Sequence, residues 1–234
     1  NIHHNAYMSE RHVYRLSGVL GEAHYVSFAV YGGSYGKSES GRRTVAYVEA
    51  SELAVAPDGR FEVVLSARPH PGNWIRLEEG STSLMIRETF WDRRVEQPGR
   101  FRLERLDAAP PPTLTPAFVA SALTRAARYI KGSNQLFFHF SDEFRRQNTN
   151  SFALSERERM MANQGIPDNV MASGWFKLAE DEVGVIDFTP PEGHYWMFVL
   201  SDYWGGSFDY RYRPIHTNKR RARRRADGSV RLLL

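Results

Sequence analysis

The chain has 234 residues, of which 41% are hydrophobic and 25% charged, and this ordinary globular composition excludes a disordered protein. It contains no cysteine, which excludes a disulfide scaffold and a thiolate metal site, and no apolar run approaches the roughly 18 residues of a membrane span. The net charge of +4 depends on the six cations of Lys219–Arg225, without which the chain would carry −2, so only this short segment is basic.

The first half of the chain is predicted to consist of short β-strands. In the segment 60–67, Phe61, Val63 and Leu65 recur at every second position, which is the period of a pleated strand. The preceding Asp58-Gly59 step favours a tight turn. Comparable runs occur at 13–20, 23–31, 43–48, 83–91 and 101–106. Many short strands at this spacing indicate a sandwich or a barrel.

The pattern becomes helical after a stiff proline linker at Pro110–Pro112. Thr115 is predicted to be the N-cap of a helix whose first residue is Pro116. A capping box at 155–158 predicts a further short helix that ends at Met161. We expect the apolar stripe of this segment to pack on the sandwich, and the alternative is a lid over a cleft. The stripe consists of Phe118, Ala122, Ala126, Tyr129, Leu136, Phe137, Phe140 and Phe144.

Strands return after Gly174 and complete the predicted architecture. The segments 175–179 and 183–188 are predicted to form a hairpin, followed by strands at 194–204 and 208–213. The predicted fold class is mostly β: a jelly-roll-like β-sandwich with a helical insertion, in a single domain. The first half of the sandwich, the insertion and the second half would comprise residues 1–114, 115–165 and 166–234.

Both ends of the sequence indicate a partial or processed chain. It opens with Asn1 and stops at Leu234 inside a predicted strand at 229–234. We therefore expect targeting information to be missing. A cytoplasmic location is favoured over others, because a chain without cysteine suits a reducing compartment.

An aromatic stretch holds the candidate acid–base residues. If 194–204 is one strand, alternate residues share one face, and that face ends in the carboxylate of Asp202. An aromatic face beside a carboxylate is typical of a ligand pocket, so Trp196 and Trp204 are predicted to form an apolar wall. The alternative is a sandwich edge with exposed ion pairs. The candidate catalytic carboxylates are Glu192, Asp202 and Asp209.

Neighbouring charges in the segment 83–94 indicate a second candidate. Arg87 and Glu88 fall on opposite faces of the predicted strand, so a sheet covered on both sides must bury one of them. A paired arginine in a core is commonly structural, and it is also how a cleft holds a carboxylate or a phosphate. A buried charge requires a partner. The candidates for that partner are Asp92, Glu192 and Asp202.

The sequence contains no motif that is typical of other classes of chemistry. The sequence has no P-loop, no G-x-G-x-x-G, no G-x-S-x-G elbow and no H-E-x-x-H, so we predict neither a cofactor nor a metal site. The basic run 219–225 is suited to phosphate backbones, and Tyr203, Tyr210 and Tyr212 to stacking on bases. A solvated turn is the favoured interpretation of this run, so nucleic acid is the less favoured partner.

Several short motifs occur in the order and at the spacing of a known family. They are GNWI at 72–75, IRETFWD at 86–92, GIP at 165–167, and TPP, YW and SFDYR between 189 and 211. From about Tyr14 to Val230 the chain resembles a widespread bacterial family catalogued only as a domain of unknown function, with a jelly-roll-like carboxy-terminal module. The family has no settled catalytic residues. The positions that match its pattern are Asn73, Arg87, Asp92, Trp196, Asp209, Tyr210 and Asn218.

The leading hypothesis is a protein that binds or transforms a small polar or anionic molecule in a cleft between sandwich and insertion. Arg87 would bind the anionic group, and Asp202 or Asp209 would act as acid or base. One alternative is a structural, homo-oligomeric assembly module without catalysis. Another is a nucleic-acid contact through 219–225. The predicted ligand-binding residues are Asn73, Arg87, Asp92, Trp196, Trp204 and Tyr210.

Overall fold

The computed structural model describes residues 1–34, 42–107, 113–161 and 165–234. The predicted proline linker at 110–112 therefore lies outside the described residues. The chain divides into two units. The first unit comprises Asn1–Gly132 and Glu156–Asn169, and the second comprises Ser133–Ser155 and Val170–Leu234.

Fourteen strands and two helices are present in the described residues. The strands are β1 (Ile2–Tyr7), β2 (Tyr14–Val19), β3 (Tyr25–Gly33), β4 (Arg42–Glu49), β5 (Arg60–Ser66), β6 (Trp74–Arg76), β7 (Ser81–Thr89), β8 (Arg100–Arg105), β9 (Ala153–Leu154), β10 (Ala172–Ser173), β11 (Val185–Phe188), β12 (Met197–Val199), β13 (His216–Asn218) and β14 (Val230–Leu233). The helices are α1 (Pro116–Gln147) and α2 (Arg157–Met161), and a 3-10 turn covers Ala50–Glu52. The predicted fold class, mostly β with a sandwich and a helical insertion, is confirmed.

The first unit contains two four-stranded sheets within residues 1–34 and 42–107. The first sheet has the strand order β1-β7-β3-β4 and the second has the order β6-β5-β2-β8. Phe61, Val63 and Leu65 are buried between the sheets, as their period of two predicts. Each such side chain contributes about 1.5–3 kcal/mol to stability when it is fully buried. The same core includes Leu16, Phe28, Val30, Ile75, Leu84 and Ile86.

Two adjacent charged residues of β7, Arg87 and Glu88, lie on opposite faces of the first sheet. Glu88 lies on the core side with Leu84 and Ile86, and it is fully buried. His4 Nε2 lies 2.8 Å from its carboxylate, and the backbone N–H of Gly99 donates to it at 2.7 Å. The predicted burial of one charge is confirmed. The buried charge is the acid, so its partner is His4 rather than one of the predicted carboxylates.

Helix α1 begins at the predicted residue. The backbone N–H of Phe118 donates to Thr115 Oγ1 at 3.2 Å, which confirms the N-cap. The helix continues through Gly132 to Gln147, and no residue in this described stretch is buried. In the part of the chain that the structure covers, no helix combines the length and the apolar character that a membrane span requires.

The second unit differs from the sequence predictions. The hairpin predicted over 175–188 is wrong, because β11 pairs with β14. The strand predicted at 194–204 is reduced to β12, and 208–213 forms a turn. The physical reason is that two aspartates in these segments bond to nearby backbone N–H groups and stabilise turns.

The described strands that follow residue 150 pair with one another. Strand β9 pairs with β10, β11 with β14, and β12 with β13. These pairings do not show residues 166–234 as sandwich strands. That part of the predicted division stays a prediction.

The buried carboxylate of Glu88 provides a test of the sandwich. Replacing it by alanine leaves the Gly99 N–H and the partly exposed His4 ring without this acceptor, so we expect Glu88→Ala to lower the free energy of unfolding by about 1–3 kcal/mol. Glu88→Gln should lower it less, because the amide oxygen still accepts from Gly99. Urea unfolding followed by tryptophan fluorescence measures both. Glu62→Ala, at an exposed position of β5, is the control; equal losses in all three variants would contradict the assignment.

A second test uses the edge strand β1. His3 lies opposite Arg87 on β7, and partial burial together with the Arg87 cation lowers the pKa of His3 to about 4. The pKa of an unfolded histidine is about 6.5. Between these values the unfolded chain binds more protons, so the free energy of unfolding should fall as the pH falls from 6.5 to 4. His3→Gln should flatten this dependence, and an unchanged pH profile would contradict it.

Candidate functional site

The face of the first sheet that points away from the sandwich core carries buried polar side chains. In β3, Val26, Phe28 and Val30 belong to the core, so Ser27 and Tyr31 lie on this outer face. Ser27 and Tyr31 are fully buried. Buried hydroxyl groups normally have hydrogen-bond partners, and those without one require an explanation.

Strand register places Ser27 between two opposite charges. It lies opposite Arg87 of β7 on one side and opposite Glu49 of β4 on the other. Its Oγ is buried and has no hydrogen-bond partner among residues 1–34, 42–107, 113–161 and 165–234. An unsatisfied buried hydroxyl costs about 1–3 kcal/mol. A group of this kind beside a cation is suited to an anionic ligand.

Two arginines lie against the ring of Tyr31. The guanidinium carbon is 5.3 Å from the ring centroid for Arg42 and 5.9 Å for Arg87. Arg42 is itself buried, and its Nη2 donates to Ser83 Oγ. Burial raises the pKa of Tyr31, partly offset by Arg87. The phenol is therefore neutral at physiological pH, and the positive charge of this region is not cancelled by it.

A chain of hydroxyl groups leads to the acidic side of the outer face. The Tyr25 hydroxyl donates to Glu49 Oε1 at 2.8 Å, and it also contacts the Tyr47 hydroxyl. Tyr47 lies opposite Ala29, so the contact between the two tyrosines crosses the position of Ser27. Burial, and then the Glu49 charge, raise the pKa of Tyr47. We call Tyr25, Ser27, Tyr31, Tyr47, Glu49 and Arg87 the outer-face cluster.

Three predicted ligand-binding residues lie in the first unit, and they have different surroundings. Arg87 belongs to the outer-face cluster. Asp92 forms an ion pair with Arg94, with 2.6 Å between Oδ2 and Nη2. The Asn73 side chain bonds to the backbone N–H and C=O of Ala54, at 2.8 and 2.9 Å. Asn73 and Asp92 therefore stabilise local loops.

The three candidate catalytic carboxylates lie in the second unit. Asp202 Oδ1 accepts from the backbone N–H groups of Trp204 and Gly206 at 3.0 and 2.8 Å. Asp209 binds the Arg211 guanidinium through both carboxylate oxygens, and this hydrogen bonding lowers the pKa of Asp209. The exposed Glu192 side chain has no hydrogen bond or ion pair with any residue whose structure is described.

The predicted aromatic wall is not built as expected. Trp196 packs edge-on against Phe188 at 5.3 Å, and Trp204 packs against Phe138 at 4.1 Å. Because the chain turns after Asp202, Trp196 and Trp204 do not share one strand face, and that prediction is wrong. Tyr210 is exposed. The nine predicted residues divide between the two units, and their assembly into one site stays a prediction.

The second unit also contains a cleft of about 500 Å³, with an apolar lining that includes Phe152, Phe176 and Ile186. Its polar lining residues serve the fold. Asn150 bonds to the backbone of Lys177, and Asp187 forms ion pairs with two arginines. No group of three histidine, aspartate or glutamate side chains in the described ranges is arranged to hold a metal ion.

Sequence reasoning missed the cluster residues other than Arg87. In the run 23–31, the polar residues Tyr25, Ser27 and Tyr31 alternate with Val26, Phe28 and Val30. That alternation predicts a polar outer face. The register that joins this face to Glu49 and Arg87 has no comparable signal in the sequence.

The comparisons with known proteins bear on the fold. The chain is similar to the crystal structure of an uncharacterised protein from Burkholderia cenocepacia, with a TM-score of 0.92 and 34% sequence identity over 99% of this chain. It spans 64% of the length of that protein. No family model and no curated protein matches the chain, so the resemblance to a bacterial family stays a prediction. The similarity supports the mostly β fold and names no activity.

Proposed function

We propose that the protein binds a small anionic molecule on the outer face of its first sheet, with Arg87 as the principal cation. The observation that carries this proposal is the buried Ser27 hydroxyl, which has no partner within the described residues and lies opposite Arg87 across β3 and β7. An anionic oxygen at this position would accept from both groups. Such charge-assisted hydrogen bonds are about twice as strong as neutral ones.

The two arginines contribute differently. Arg42 donates to Ser83, so it adds positive potential without changing its present contact. Arg87 lies opposite Ser27 and hydrogen-bonds to Tyr31, and its planar guanidinium has further N–H donors that match a carboxylate or a phosphate. The guanidinium carbons of both arginines lie within 6 Å of the Tyr31 ring centroid, at 5.3 and 5.9 Å.

The basic run 219–225 receives less support as a binding surface. Arg225 Nη1 lies 3.3 Å from Asp187 Oδ1, and Lys219 Nζ donates to the Gly193 carbonyl at 2.5 Å. Two of its six cations thus have partners in the second unit. These contacts favour a structural role for those two residues.

Loss of the Arg87 charge should weaken binding strongly and leave the fold intact. Isothermal titration calorimetry with acetate, propionate, lactate and inorganic phosphate measures binding to the wild type and to Arg87→Gln. We expect at least one anion to bind the wild type. Arg87→Gln should weaken that binding by about 30-fold or more, because removing one partner of a close charge pair costs about 2 kcal/mol or more.

The control for this experiment is Arg68→Gln, which removes an exposed arginine of the same unit. It should bind as the wild type does. Circular dichroism checks that both variants are folded. Absence of binding to the wild type, or unchanged binding to Arg87→Gln, would overturn the proposal.

A further inference from the structure

We infer that the anion bound at the outer-face cluster is a hydroxy acid, whose hydroxyl group donates to Tyr47 while its carboxylate binds Arg87 and Ser27. This inference rests on the proposed function and names the class of its ligand. Its basis is the direction of the hydrogen bonds that join Tyr47, Tyr25 and Glu49.

The Glu49 carboxylate fixes that direction. An ionised carboxylate accepts hydrogen bonds and cannot donate them, so the Tyr25 hydrogen points to Glu49 Oε1. The Tyr25 oxygen must then accept from the Tyr47 hydroxyl. The hydrogen of Tyr47 is thereby committed, and the Tyr47 oxygen presents an acceptor to its surroundings. No donor to that oxygen is present in the structurally described part of the chain.

The acceptor and the cation lie on the same face and share a neighbour. Tyr47 packs against the group of Ala29, Tyr31 and Met85, and the Arg87 guanidinium carbon is 5.9 Å from the Tyr31 ring centroid. Arg87 and Tyr47 belong to the two strands on either side of β3. Their backbones are therefore about two strand spacings, roughly 10 Å, apart. Two long side chains on one face can converge on a small molecule over β3.

The charges of the cluster select among ligands with two polar groups. A dicarboxylate would place its second negative charge against the Tyr47 acceptor and close to Glu49. A hydroxyl group supplies the donor without a second negative charge. An ammonium group at the same position would also donate to Tyr47, so an amino acid is a separate outcome of the test. A hydroxy acid with one carboxylate provides an acceptor for Arg87 and Ser27 and a donor for Tyr47.

The test compares matched acids that differ in one group. Calorimetric titrations use lactate against propionate and alanine, and 3-hydroxybutyrate against butyrate. At least one hydroxy acid should bind the wild type about 10-fold or more tightly than its matched acid, because the site would otherwise leave its acceptor unpaired. Tyr47→Phe should remove this preference and leave affinity for the simple acid unchanged. Arg87→Gln should lower the affinity for the hydroxy acid and for its matched simple acid by the same factor.

The outcomes separate this inference from the proposed function. Equal binding of hydroxy acid and simple acid to the wild type would overturn the inference and leave anion binding intact. If phosphate binds and none of the organic acids does, the inference is likewise overturned and anion binding is retained. Tighter binding of alanine than of lactate would overturn the inference, because it would place an ammonium group at the position proposed for the hydroxyl group. Binding of none of these anions would overturn both.

A second variant covers the case in which Tyr47→Phe fails to fold. Glu49→Gln places an amide N–H where it can donate to Tyr25, and the hydrogen-bond chain then loses its fixed direction. The preference for a hydroxy acid should fall in this variant as well. A preference retained in full would overturn the inference.

Discussion

The burial of the Glu88 carboxylate between two sheets is the constraint on which the first unit depends. A fully buried charge requires partners inside the protein, and Glu88 has His4 from β1 and the Gly99 N–H from the segment before β8. One side chain thus connects an edge strand of the first sheet to the edge strand of the second. It also determines where Arg87 lies. A register shift of one residue in β7 would exchange the two charges and place a guanidinium in the core.

The outer-face cluster is a consequence of the same register. With β7 fixed, Arg87 lies opposite Ser27, and the pairing of β3 with β4 adds Glu49 on the other side. A cation, a hydroxyl and a carboxylate therefore form a row across three strands. Polar groups that are buried in such a row have a free-energy cost unless they are paired. The cluster reduces that cost through the hydroxyl chain to Glu49, whereas the Ser27 hydroxyl has no partner among the described residues.

Sequence reasoning identified those features that depend on local chemistry. The period of Phe61, Val63 and Leu65 predicted a core strand, and Thr115 before Pro116 predicted the start of a helix. The charge pair at 87 and 88 predicted a buried charge, because alternation along a strand is a local property. The long strand expected at 194–204 failed, since the side chain of Asp202 bonds to backbone groups that a strand would need. Ser27 and Tyr47 were missed because their importance depends on which strands become neighbours.

The distances along the chain between paired strands determine when the first unit takes shape during synthesis. Strand β1 pairs with β7, where Ile2 lies opposite Glu88, and Val19 of β2 lies opposite Arg100 of β8. Contacts between residues so far apart form slowly, because a long loop must be closed first. The hairpin of β3 and β4 can form early, whereas Arg87 reaches Ser27 only when the sheet closes. A molecule bound there would act on the closed state alone and would slow its reopening, as a pharmacological chaperone does.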